Sequence, residues 1–217
     1  MAINSNNGSY ISTGLTNVPI TNSAKTVSIW VNNSDFTSAI RSWINIVYSS
    51  SAAVQLGCRA DGNLWVWDFN GVQICLATAP TTNTWFHHLY TFDGNKTHNM
   101  YLNGTLVSTN TNYTFSSATL TNIELGGNQW NEFLSGYYED TRIYNRVLSL
   151  NEITTIYNTR GADGIVYGLV SQWLCNDGVI GSAVSTLTDI SQSKNNGSVT
   201  TGTPLWYNSY LKKRKFL

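Results

Sequence analysis

Charge is the scarcest ingredient of this chain. Charged side chains make up 11% of its 217 residues, less than half the usual globular share. Twelve basic and twelve acidic residues cancel to a formal net charge of zero. Polarity comes instead from Asn, Ser and Thr, which keep a surface soluble without a strong field. Such a surface suits an extracellular or virion protein, although an AT-rich genome would leave the same bias. Long apolar runs are missing too. Nothing approaches the roughly 20 residues of a membrane span, so membrane insertion is not expected. The opening MAINSNNGSY has neither the basic start nor the apolar centre of a secretory signal. Either an export peptide has been removed, or the chain reaches its destination by another route, such as assembly into a virus particle.

Cysteine is rare. Three cysteines do not read as a disulfide framework, and without a Cys-x-x-Cys pair a zinc site is not expected. Cys58 and Cys75 flank LWVWDF, the middle strand of a predicted meander. That would set them two strands apart, roughly 9–10 Å and out of disulfide reach. A Gly-rich phosphate loop and a legible Ser-His-Asp grouping are also missing.

What the chain has is a succession of short β-branched and aromatic runs punctuated by turns. Asp61-Gly62, Asn70-Gly71, Asp93-Gly94 and Asn103-Gly104 are hairpin signals, because these pairs accept the positive φ angles of tight turns. Helical periodicity is confined to residues 150 to 160. There Ser149 followed by Glu152 forms a capping box, so a short helix is predicted to run to about Gly161. The fold class is therefore all-β, with the spacing of a two-sheet antiparallel sandwich. An apolar share of 41% supports one core, and residues 1–208 are assigned to a single domain with 209–217 as a basic tail. Before the helix, Gly136 to Tyr144 alternates in period two. The alternation puts Glu139, Thr141 and Ile143 on one face and Tyr138, Asp140, Arg142 and Tyr144 on the other.

A strand with an acidic pair, then RIYNRVLSLNEI and a short helix, resembles the closing segment of the laminin-G-like family, within the concanavalin A-like lectin and glucanase group. WFHHLYTFDGNKTHNMYLNGTLVST, residues 85 to 109, resembles the family's central hairpin. SYISTGL, KTVSIWVN and IELGGN resemble other strands, in family order. The resemblance implies a jelly-roll sandwich that binds and displays. GLVSQWLCNDGVIGSAVSTLTDISQSKNNGSVTTGTPLW, residues 168 to 206, looks like the family's opening segment placed after its close. Circular permutation, a truncated repeat and strand donation to a neighbour each account for that order, and permutation within one chain is the expectation adopted.

Catalysis is not expected. Glucanase relatives carry Glu-x-Asp-x-x-Glu on one strand, which places the acids on one face, and that spacing does not occur here. Glu124, Glu132 and Glu152 fall in different elements, and His87 falls where the family often has a structural His. Relatives that bind Ca²⁺ make Glu139 and Asp140 the candidate metal ligands. The alternative is that Glu139 bonds a neighbouring strand while Asp140 is solvated. For glycans the candidates are Trp130 and Asn128, in the polar loop GGNQWNEF, and Trp65 and Trp67, which share a strand face with Phe69. The alternative for the Trp65–Trp67 row is the core. Lys212, Lys213, Arg214 and Lys215 form a basic tail that either is solvated or contacts an acidic partner subunit. So short a tract does not support nucleic-acid binding. These readings lead to a non-catalytic binding and display module on a virion or cell surface, or else a secreted lectin.

Overall fold

The computed structural model describes residues 1–5, 8–14, 18, 22–49, 52–68, 71–115 and 120–209. Phe69 and the basic residues Lys212, Lys213, Arg214 and Lys215 lie outside the described residues. In chain order the strands are β1 (Ala2–Asn4), β2 (Tyr10–Thr13), β3 (Lys25–Asn33), β4 (Arg41–Ser49), β5 (Ala52–Cys58), β6 (Asn63–Asp68), β7 (Val72–Thr78) and β8 (Trp85–Phe92). They continue as β9 (His98–Leu102), β10 (Thr105–Asn110), β11 (Asn122–Leu125) and β12 (Gly136–Tyr144). After helix α1 (Leu150–Thr159) come β13 (Leu169–Trp173), β14 (Thr186–Leu187), β15 (Gly197–Thr201) and β16 (Leu205–Tyr207).

Two antiparallel sheets make the jelly-roll sandwich. The helix-side sheet runs β10-β9-β8-β3-β12-β1-β16, with β13 also paired to β12. The second sheet runs β14-β15-β2-β11-β4-β5-β6-β7. Between them lies a core that includes Ile29, Trp43, Leu64, Val66, Tyr138 and Trp173. A smaller cluster on the opposite face of the helix-side sheet joins Leu89 and Tyr144 to Ile153 and Ile156 of α1.

Local chemistry accounts for the elements. Ser149 caps α1, with Glu152 closing the reciprocal half of the capping box. The helix stops at Thr159 because Arg160 turns left-handed at φ 51°. At the β9–β10 hairpin, Asn103 and Gly104 take φ of 52° and 77°, the positive pair that a two-residue turn with matching twist requires. The meander β5–β6–β7 forms as predicted, and Cys58, Cys75 and Cys175 are buried free thiols. Cys175 sits in the turn just past β13, not within a strand.

One expectation fails in β12. Asp140 takes φ 41°, and the register against β3 slips between Glu139 and Arg142. Two residues of β12 thus face one of β3, which is a β-bulge, and the period-two alternation shifts by one. Tyr138 and Ile143 consequently share the core. Glu139 and Asp140 both turn outward, toward Arg160 and Gly161 just beyond α1.

Residues 168–206 are built into both sheets. β13 pairs with Thr141–Tyr144 of β12, and β1 pairs with Tyr137 and Tyr138 further along the same strand. β15 lies between β14 and β2, and β16 pairs with β1. Buried Asp189 accepts the backbone N–H groups of Gln172, Ser191 and Asn195, which shapes the Asp-x-Ser and Asn-Asn-Gly turns. Trp173 is fully buried and donates its indole N–H to the Asn195 carbonyl at 2.9 Å.

Candidate functional site

The outward face of the second sheet carries a row of polar and aromatic residues that only the registers reveal. Ser198 pairs with Ser12, Ser12 with Glu124, and Glu124 with Asn45. Asn45 then pairs with Gln55, Gln55 with Trp67, and Trp67 with Gln73. Directly paired residues point to the same side of a sheet, so this row crosses seven strands on one face. The intervening residues Ile44, Leu56, Leu64 and Val66 belong to the core.

Trp65 and Trp67 form the aromatic end of the row. Their rings stack at 4.7 Å between centroids with 30° between planes. They face away from the space between the sheets, which Leu64 and Val66 fill instead; Trp65 is 3% exposed and Trp67 half-buried. Gly57 lies opposite Trp65. A Cβ at Gly57 would stand 2.7 Å from the Trp65 Nε1, so glycine leaves the room in which the indole lies against the sheet.

A loop of residues 126–134 folds over the middle of the row, and Asn128 organises it. The Asn128 Oδ1 accepts the backbone N–H groups of Trp130 at 3.0 Å and Glu132 at 3.1 Å. Its Nδ2 donates to Glu132 Oε2 at 2.6 Å and to Asn45 Oδ1 at 3.4 Å. Gln55 Nε2 donates to the same Glu132 oxygen at 2.7 Å, and Asn45 Nδ2 donates to the Gly127 carbonyl at 3.0 Å. Asn128 is thus wholly buried in the job of holding the loop, and it has no exposed atom to offer a ligand. That corrects its assignment as a glycan contact. Trp130 is half-exposed in the turn that Asn128 sets, beside Asn131 at φ 65°.

Two carboxylates, Glu124 and Glu132, lie in the middle of the face, and at its Trp67 end the Arg59 guanidinium donates to Gln73 Oε1 at 2.7 Å. Burial pushes the Glu124 carboxyl up to about 7, against the opposing pull of bonds from the Gln129 N–H and the Asn122 amide. Both bonds are long, at 3.3 Å, so they only partly compensate the lost hydration. Tyr10, further along β2, has its hydroxyl pushed up by burial and by the Glu124 charge. The Gln55 Oε1 acceptor and the Trp65 Nε1 donor are among the buried groups without a protein partner. Nothing in the sequence singled out Glu124, Gln55, Asn45 or Gly57 as parts of a site. The available signal was an isolated amide inside each of the apolar strands RSWINIVYS and AAVQLGC.

Glu139 and Asp140 lie on the other sheet and are held by arginines. Glu139 Oε1 accepts from Arg160 Nε at 2.9 Å. Asp140 takes a bidentate bond from Arg142, at 2.8 and 2.9 Å, and a third bond from Gln172. Arg142 in turn holds Asp163 with two bonds of 2.8 Å. Ca²⁺ requires six to eight oxygen ligands. Here the carboxylate oxygens face guanidinium groups, and among the described residues no group of three or more His, Cys, Asp and Glu side chains converges. The residues present do not fit a Ca²⁺ site. His87 is buried and bonded to Ser28 Oγ at 2.7 Å, and burial pulls its pKa down to about 3.

The sandwich, its closing strand and the capped helix agree with one family model, that of the concanavalin A-like lectin/glucanases superfamily, which matches residues 5–154. The chain belongs to that superfamily. Among solved structures this concanavalin A-like fold is similar to a "putative carbohydrate binding protein" from Bacteroides ovatus, at TM-score 0.70 and 17% identity over 96% of the chain. The chain spans 60% of the length of that protein. It is also similar to the ligand-binding domain of botulinum neurotoxin serotype D, solved with N-acetylneuraminic acid. There the TM-score is 0.58 and the identity 18%, over 86% of this chain and 47% of that one. Domain 4 of AbnA, a GH43 extracellular arabinanase from Geobacillus stearothermophilus solved with arabinotriose, is similar at TM-score 0.55 and 20% identity, over 71% of this chain and 86% of that one. At these identities the likeness is one of fold. No curated protein sequence matches the chain. No helix among the described residues is long and apolar enough to cross a membrane.

Proposed function

We propose that this chain is a non-catalytic carbohydrate-binding module that takes neutral glycans on the outward face of its second sheet. The observation that carries this reading is half-buried Trp67, stacked on the buried Trp65 ring, with Gln73, Ser12 and Ser198 as the polar members of the same face that reach the surface. A pyranose presents an apolar C–H face and a rim of hydroxyls, and this row supplies an aromatic face and hydrogen-bonding groups to match. Trp130 stands on the loop above as a further contact. Glu132, half-buried on the same face, disfavours an anionic sugar beside it, because like charges in a partly dehydrated site repel. Catalysis has little support: Glu124 is covered, and Glu132 spends one oxygen on Gln55 and Asn128.

Residues 168–206 are read as the family's opening strands moved to the chain's end. Their positions beside β12, β2 and β1 support that reading. Display in many copies on a virus particle or cell surface rests on the sparse charge and the basic tail. Light scattering of the purified protein checks it, and a strictly monomeric protein with no particle to bind argues for a secreted lectin instead.

Affinity electrophoresis through arabinan, xylan, galactomannan and mixed-linkage β-glucan tests the binding reading. At least one polysaccharide should retard the protein, and Trp67→Ala should lose tenfold or more in affinity, about 1.4 kcal/mol. No retardation in any gel, or full retardation of Trp67→Ala in all of them, overturns the proposal.

A further inference from the structure

The helix-side sheet carries a second row on the same outward face that α1 packs against, beyond the helix's C-terminal end. Leu205 pairs with Asn4, Asn4 with Tyr137, Tyr137 with Asn32, and Asn32 with Trp85. All five residues are half-buried, whereas the residues one position on, Trp206, Ile3, Tyr138, Val31 and Phe86, are in the core. The row crosses five strands, about 19 Å at the ordinary strand spacing. Tyr207, two residues beyond Leu205 and on the same face, stacks on Tyr137 at 4.2 Å between centroids with 29° between planes. The two tyrosines reach each other across β1, where Ala2 contributes only a methyl group. At the far end the Arg160 guanidinium braces Trp85, 4.9 Å from its ring centroid, while lying 4.0 Å from that of Trp30. Glu139 neutralises Arg160 at 2.9 Å.

We infer that this strip is a second saccharide-binding site, independent of the Trp65–Trp67 face and selective for uncharged glycan chains. Carboxamides and aromatic rings sit together along the row: Asn4 and Asn32 flank Tyr137, Tyr207 stacks directly on Tyr137, and Trp85 lies beyond Asn32. A chain of pyranose rings meets such a strip with its C–H faces on the rings and its hydroxyls on the amides, since each amide both donates and accepts. The guanidinium beside Trp85 is offset by Glu139, which leaves that end of the strip without a net charge to hold an anionic ligand. A peptide strand is a poor match, because β1, β12 and β3 already pair on both sides and offer no free backbone edge. An amphipathic helix would need an apolar stripe where the asparagines stand. The stacked tyrosines are already in position, so binding would order few side chains.

The test uses the same four polysaccharides with three variants: Trp67→Ala, Tyr137→Ala/Tyr207→Ala, and all three changes together. Trp67→Ala should stay retarded by at least one polysaccharide, and the triple variant should lose that retardation, a fall of tenfold or more. Should the tyrosine variants fail to fold, ¹⁵N amide spectra of the unaltered protein titrated with xylohexaose or mannohexaose decide instead, through shifts at Asn4, Tyr137 and Asn32. Complete loss of binding in Trp67→Ala alone leaves the first site standing and overturns this one. Unchanged retardation of the triple variant, or hexasaccharide shifts confined to the second sheet, overturns it as well. Self-association abolished by Tyr137→Ala/Tyr207→Ala, with no change in any polysaccharide gel, would assign the strip to a second copy of this chain and overturn the saccharide reading.

Discussion

The Trp65 indole occupies the space that a side chain at Gly57 would need. The two residues are directly paired across β5 and β6, and a Cβ at Gly57 would fall 2.7 Å from Trp65 Nε1 and 2.1 Å from the Arg41 carbonyl oxygen. Gly57→Ala should therefore destabilise the fold by about 1–3 kcal/mol, because backbone as well as side chain must give way. For a chain of this size that is about 2–4 °C of melting temperature per kcal/mol. Tryptophan fluorescence should change at the same time, since Trp65 would be displaced from Trp67. A melt and an emission spectrum matching those of the unaltered protein would mean that the indole does not lie where the geometry puts it.

Glu124 gives the second sheet a pH dependence of definite sign. Its carboxyl titrates at about 7 when folded, against an ordinary value of 4.5. Between those values the folded protein holds a proton that the unfolded chain has released, so this contribution to stability falls as pH rises through the window. It is fully present below about 4.5 and lost above about 7. His87 and His88, whose pKa values are pulled down to about 3 by burial, act in the opposite direction as pH falls below 6.5. The difference between the protein and Glu124→Gln removes their contribution. Urea melts at pH 5 and pH 8 should show the amide variant gaining relative stability at the higher pH. A difference that does not change with pH would place Glu124 in a hydrated setting.

The network around Arg142 should be unforgiving. Arg142 and Asp163 are each about 2% exposed, and Asp140, Gln172 and Tyr144 complete the set. Burial alone would raise the Asp163 pKa, but the bonds from Arg142 outweigh it and the net direction is down. Asp163→Asn should cost roughly 3–5 kcal/mol, the usual result of removing one partner of a buried pair. Chemical denaturation measures this directly, and a loss below 1 kcal/mol would indicate water access to the guanidinium.

A chain ending at Gly161 should not fold. It lacks β13 to β16, which cover edges of β12, β2 and β1, and it lacks Trp173. Loss of that buried indole alone is worth about 3–5 kcal/mol. The shortened chain should elute as aggregate or give no cooperative melt by circular dichroism. A soluble monomer that melts as the intact protein does would make the last four strands dispensable.

The sequence by itself determined the elements and the fold class. Asn-Gly and Asp-Gly pairs have a conformational preference of their own, and Ser149 with Glu152 caps α1 through bonds spanning three residues. Such signals are local, so they are legible one segment at a time. The alternation of LWVWD likewise put Trp65 and Trp67 on one face. It did not say which face was the core, because two bulky tryptophans satisfy a core as readily as a binding surface. Only the packing of Leu64 and Val66 between the sheets decided that. Asn128 was legible as a polar loop residue but not as a buried one, since its partners Asn45 and Glu132 meet it only after the loop folds over β4. The bulge at Asp140 was hidden for the same reason. A strand's period is set by its backbone, whereas a bulge is set by the register with β3, a neighbour more than a hundred residues earlier in the chain. Register also assembled both outward rows: each draws one residue from each of several strands scattered along the chain, and no window of sequence contains them together.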